Sequence, residues 1–204
     1  MASTIQVDKI TDIGGNTIIE SNGSGTFTSN LPAVAPNVST ATGTLPIANG
    51  GTGAATLAAA GLTNTPSFGA KLTSNQSLSA STQTKMQLAT ELWDTDSAFD
   101  SSTNYRFTVP SGEAGKYMFI GSGNIGAISD GGDIRMSFYK NGSSSNQGNI
   151  RYFAGAAGVG IYFTSSAVID LAVSDYIELY QFASSGNHFD AGMTYLYGFK
   201  LLGV

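Results

Sequence analysis

From residue 67 to the C-terminus, short runs of alternating apolar and polar positions follow one another, separated by Gly, Asn, Ser and Asp. Alternation with a period of two, bounded by turn formers, predicts strands with one buried face. The runs are 67–72, 84–89, 104–109, 116–121, 133–140, 150–154, 159–169, 175–183 and 193–202. None sustains the 3.6-residue period of an amphipathic helix, so the pattern predicts a sandwich or barrel of short strands. Asn141-Gly142 lies between two runs and predicts a tight hairpin turn, because both residues tolerate positive φ. In the run Tyr105, Phe107, Val109 the apolar side chains share one face. Pro110 ends that strand by removing a ladder donor.

The first 66 residues read differently. In residues 1–30 the β-branched clusters Ile5, Val7, Ile10 and Thr17-Ile18-Ile19 are separated by Gly14-Gly15-Asn16. Three strands of this length bury no core of their own. The segment is therefore either a disordered tail or, the reading preferred here, an arm that orders on a partner or on its own copies. Ile5, Val7, Ile10, Ile18 and Ile19 are its candidate attachment residues. Residues 31–66 contain four of the five prolines and no charged residue, and read as a low-complexity joint. Within it, Ala54 to Ala60 allows a turn or two of helix closed by Gly61.

Composition narrows the functions. Charged residues make up 11% of the chain, against about 25% in an average globular protein. The surface must then be built from hydroxyls, amides and glycine. Nine basic residues against fourteen acidic ones, with no basic run, argue against nucleic acid as a partner. The absence of cysteine removes disulfides and thiolate chemistry. No run approaches the ~20 apolar residues of a membrane helix, and the first residues lack the basic and apolar blocks of a secretory signal. The expected setting is synthesis in a cytoplasm without export or membrane insertion.

Two stretches carry resemblances. Leu45-Pro46-Ile47-Ala48-Asn49-Gly50-Gly51-Thr52-Gly53-Ala54 resembles a segment recurrent in bacteriophage tail-fibre proteins, where it belongs to the shaft or the joint before a globular tip. Phe107-Thr108-x-Pro110, Gly115-x-Tyr117-x-Phe119, Lys140-Asn141-Gly142, Asp175-x-Ile177-x-Leu179 and Tyr197-Gly198-Phe199-Lys200-Leu201 follow in the order of motifs in the complement and tumour necrosis factor superfamily. This second resemblance spans residues 68–203. The spacing from Phe107 to Gly115 is two residues longer than the family pattern, Gly121 stands where an aromatic is expected, and Ser174 replaces a glycine. The resemblance implies a ten-strand jelly-roll head over 67–204 assembled as a compact homotrimer, so that with the arm 1–30 and the shaft or linker 31–66 the chain is expected to be all-β.

The last strand supports assembly independently. Tyr195, Tyr197, Phe199 and Leu201 fall on one face, Leu196 and Leu202 on the other. A monomeric sandwich shows polar residues on its outer face, so a second apolar face implies burial against another subunit or cover by loops. Tyr117, Phe119, Tyr195, Tyr197, Phe199 and Leu201 are the expected trimer-interface residues. Trp93, Asn187 and His188 are candidate receptor contacts, although for Trp93 packing under a loop is the preferred reading. His188 lacks the surroundings of a catalytic base. Asp94, Asp96 and Asp100 lack the Gly and closing Glu of a calcium loop, and Asp130-Gly131-Gly132-Asp133 reads as a turn. No catalytic, cofactor or metal residue is assigned. The expected function is a virion fibre protein, docked to other particle proteins through its arm and facing a host surface glycan through its head. The alternative is a capsid, neck or tail decoration that binds no receptor.

Overall fold

The computed structural model describes residues 9–21, 27–29, 51, 53–54, 56, 59–60, 63–185 and 188–202. The chain forms two units, Met1–Ala55 and Thr56–Val204. In the first, β1 (Lys9–Thr11), β2 (Thr17–Ser21) and β3 (Phe27–Ser29) form an antiparallel meander. The turn between β1 and β2 is closed by Asp12, whose carboxylate accepts hydrogen bonds from the Asn16 backbone and side-chain nitrogens at 2.8 and 2.9 Å. Ile10 is exposed while Ile18 and Ile19 are half-buried; Ile5 and Val7 lie outside the described residues.

Near the start of the second unit Ala60 N donates to Thr56 O at 3.0 Å. Its strands are β4 (Ser67–Lys71), β5 (Gln76–Ser77), β6 (Thr84–Lys85), β7 (Thr90–Asp94), β8 (Phe99–Asp100), β9 (Arg106–Thr108) and β10 (Gly115–Ile128). After these come β11 (Asp133–Lys140), β12 (Ser143–Ser144), β13 (Ile150–Phe153), β14 (Val159–Leu171), β15 (Tyr176–Ala183), β16 (His188–Phe189) and β17 (Tyr195–Lys200). The main strands pair antiparallel in two sheets, a front sheet ordered β4-β17-β10-β14 and a back sheet ordered β9-β15-β11-β13. Counted as eight successive strands, these orders are 1-8-3-6 and 2-7-4-5, the doubly crossed connectivity of a jelly roll. The chain is all-β over this unit, as the alternating pattern predicts. The minor strands extend the sheets: β7 continues the front sheet beyond β4, and β5 and β16 lie beside the far end of β10.

Between the sheets lies an aromatic core. The Phe68 ring stacks on Phe99 and Phe107 with centroids 4.9 and 5.0 Å apart, and Phe107 meets Tyr117 at 5.3 Å. Tyr117 and Phe119 are fully buried here. This corrects their expected place in a trimer interface. On β10 the odd-numbered side chains from Tyr117 to Ile125 point inward, so these two leave no surface for a neighbour. The Tyr117 hydroxyl donates to Glu113 O at 2.5 Å, and burial pushes its phenol well above the usual tyrosine range.

The departures from the superfamily pattern have local causes. A Cβ on Gly121 would lie 2.7 Å from Met136 Sδ and 3.0 Å from Leu179, so side chains of the facing sheet fill the space an aromatic would take. Ser174 has φ 69°, the conformation for which glycine is otherwise chosen. Asn141 and Gly142 have φ 52° and 79°, as the hairpin reading requires. Tyr105 differs from its expectation: at φ 49° it lies outside the strand, which starts at Arg106, while Phe107 and Val109 are buried.

Candidate self-association face

The two sheets turn very different outer faces to their surroundings. On the front sheet, register sets Met118, Ile120 and Ser122 of β10 opposite Phe199, Tyr197 and Tyr195 of β17. On the other flank Met118 and Ile120 face Val168 and Ser166 of β14. The row continues through β4, where Tyr197 lies opposite Gly69 and Gly69 opposite Trp93. A Cβ at Gly69 would meet the Trp93 ring at 2.3 Å, so the bare glycine is what lets the indole lie flat across β4. Trp93 thereby comes within 5.2 Å of the Tyr197 ring and 6.3 Å of Phe199, and Tyr195 stacks on Tyr197 at 4.5 Å.

The result is an aromatic and aliphatic band: Trp93, Tyr195, Tyr197, Phe199, Met118, Ile120 and Val168. None is fully buried, and Val168 is 48% exposed. Burial and the neighbouring Tyr195 push the Tyr197 phenol above its ordinary value, so it stays neutral. Charge stands at the margin of the band, where Lys116 meets Asp170 at 3.0 Å.

On the back sheet, outward positions carry all three arginines of the chain, each over an aromatic ring. Arg106 lies 4.0 Å from the Tyr176 centroid; Arg135 over Phe182 and Arg151 over Phe153 are both at 4.6 Å. Lys85 pairs with Glu178 at 3.0 Å, and Tyr139 stacks on Tyr180 at 3.9 Å. The outer face of this sheet thus sets a charged group beside each of several aromatic rings, as suits a sheet that meets water. The front face departs from that rule.

Of the residues expected at an interface, Tyr195, Tyr197 and Phe199 lie together on the front face. Leu201 is half-buried just beyond β17, its N–H bonded to Lys116 O at 2.8 Å. Leu202 lies past the strand and is exposed, so it lines no second strand face. Trp93 is on the front face rather than under a loop. It does not meet His188, which is on β16 at the opposite side of the same sheet. His188 Nε2 lies 3.1 Å from Asp190 Oδ1, and Asp190 Oδ2 accepts from Asn124 Nδ2. Asn187 lies outside the described residues.

The acidic loop serves its own backbone. Asp94 Oδ2 accepts from Phe99 N at 2.7 Å. Asp100 accepts from the backbone N–H groups of Thr103 and Ser102 and from the Asn104 side-chain amide, which hold its carboxyl well below the usual range. Among the described residues no group of three His, Asp or Glu side chains is placed to hold a metal ion. Asp133, which ends the expected turn and opens the expected run 133–140, is the buried first residue of β11. Sequence reasoning missed it, along with Arg135, Arg151, Met118 and Ile120. Their grouping depends on cross-strand register, which one strand's pattern does not reveal.

No protein-family model matches the chain, and no curated protein is detectably similar to it. Solved structures similar to it include the globular domain of zebrafish complement 1qA protein, with 17% identity, 67% of this chain and 97% of that chain covered, and a TM-score of 0.49. They also include the Eiger TNF of S. frugiperda, with 12% identity, 66% and 90% coverage and a TM-score of 0.47. Murine APRIL is a third, with 13% identity, 66% and 98% coverage and a TM-score of 0.47.

Proposed function

We propose that three copies of the jelly roll close on their front-sheet faces, and that the trimer is the head of a short fibre on a virus particle. The observation that carries the assembly is the band of Trp93, Tyr195, Tyr197 and Phe199 on the outside of a sheet. An apolar patch of this kind on a soluble protein marks a contact surface. The number three comes from the superfamily motifs. The virion setting rests on the tail-fibre-like segment at residues 45–54. In this reading residues 1–30 dock to other particle proteins and the head faces the host surface, where three weak sites act together through avidity. The protein turns over no substrate.

Deleting residues 1–30 tests this reading. The truncated chain should remain a soluble oligomer and fail to enter particles, and particles lacking it should adsorb poorly to host cells. Normal incorporation would place the anchor elsewhere. Normal adsorption by particles without the protein would favour a decoration that binds no receptor.

A further inference from the structure

The outer face of the back sheet carries a cation in excess at one place. Arg135 of β11 lies directly opposite Arg151 of β13, and like charges in that register oppose each other. Both guanidinium groups turn to one carboxylate. Arg135 donates from Nε and Nη2 to Asp133, and Arg151 from Nε and Nη2 to the same group at 2.9 Å each. Asp133 is nearly buried, its side chain 11% exposed, and the two guanidinium groups hold its carboxyl below the usual range. The side chains of Arg135 and Arg151 are 40% and 53% exposed. Among the described residues the Nη1 of neither meets an acceptor. Two partly exposed positive charges therefore share one negative charge. The rings beneath them flank the pair: Phe182 under Arg135, and Phe153, 60% exposed, under Arg151.

We infer that Arg135, Arg151 and Phe153 form a binding site for an acidic saccharide. A carboxylate accepts two parallel N–H groups from a guanidinium, a geometry that lysine does not reproduce. The exposed face of Phe153 offers an apolar surface to the C–H side of a sugar ring next to the acid. A salt cross-link needs only one arginine for Asp133. The second leaves a surplus charge that a ligand anion neutralises. The inference deepens the fibre-head reading by naming the chemistry the head would meet, and it rests on that reading only for its biological setting.

The test is calorimetric titration of the full chain at low ionic strength with oligogalacturonate, a malto-oligosaccharide of equal length, and inorganic phosphate. Oligogalacturonate should bind. The neutral sugar should give no heat, and phosphate should bind at least tenfold more weakly. Arg151→Gln should weaken oligogalacturonate at least tenfold with unchanged far-UV circular dichroism and melting, Arg151→Lys should not restore it, and Phe153→Ala should weaken it several-fold. Absence of oligogalacturonate binding, or wild-type binding by Arg151→Gln, overturns the site. Equal affinity for phosphate overturns its saccharide character. Light scattering on the same samples separates the two readings: a trimer that does not bind refutes the site alone, and a monomer that binds refutes the fibre head alone.

Discussion

Replacing Tyr197 with aspartate puts a carboxylate in the centre of the front-face aromatic row, and the structure sets what that should cost. Within one subunit the change removes two ring contacts, to Tyr195 at 4.5 Å and Trp93 at 5.2 Å. At roughly 0.5–1.5 kcal/mol per aromatic pair, the loss is about 1–3 kcal/mol. A domain stable by roughly 5–15 kcal/mol survives it, and the new carboxylate stays hydrated while the face is free. In an assembled trimer the same carboxylate is taken out of water without a partner, once per subunit. At about 3 kcal/mol each, the low end for an uncompensated buried charge, the trimer loses about 9 kcal/mol. At 1.4 kcal/mol per tenfold this is on the order of a millionfold in the assembly constant. The variant should therefore sediment as a folded monomer at micromolar concentration, with a wild-type far-UV spectrum. Tyr180→Asp is the control, because Tyr180 stacks on Tyr139 on the back sheet and should leave assembly intact. Wild-type mass for the Tyr197 variant, or dissociation by the Tyr180 variant, would refute the assignment of the front face.

Two further substitutions probe the fold itself. Gly198 faces the core, where a Cβ would meet Phe68 at 2.3 Å and Phe119 at 2.9 Å. Gly198→Ala should then destabilise by about 1–3 kcal/mol through overpacking, read as a lower urea midpoint with an unchanged slope. Asp175 is held at about 2 against 3.8 for a free side chain, first by the Lys140 hydrogen bond, then by Asn141 and the Ala172 N–H. A depressed folded-state value makes the contribution present above the unfolded value and lost as pH falls between about 4 and 2. Melting temperature should fall over that window, and Asp175→Asn should flatten this part of the acid limb; an identical profile in the variant would remove Asp175 from the acid response.

Much of the head is legible in the sequence because half-buried strands alternate. The run predicted over 133–140 is β11 to the residue, and β15 is the run 175–183 without its first residue. Other boundaries moved for physical reasons. β10 runs past the expected 121 to Ile128, because Gly121 and Gly123 sit under Met136 and Gln181, whose side chains fill the space theirs would occupy. The inward turn of Tyr117 and Phe119 was not readable from an aromatic pair alone, since alternation gives two faces without saying which meets the core. That Tyr195, Tyr197 and Phe199 share one face is legible from alternation; that this face points outward follows from the burial of Leu196 and Gly198 between them. The grouping of Arg135, Arg151 and Asp133 needed the register of two strands joined by a loop, and no local pattern supplies that.

The central claim is that the uncharged aromatic face is covered by copies of the same chain. Its most direct test is the mass of the purified 204-residue chain in solution, measured by light scattering at micromolar concentration and physiological salt. Three times the 21.0 kDa chain mass is the expected result, unchanged at high salt because the face is apolar. A monodisperse 21.0 kDa particle under the same conditions would contradict the account.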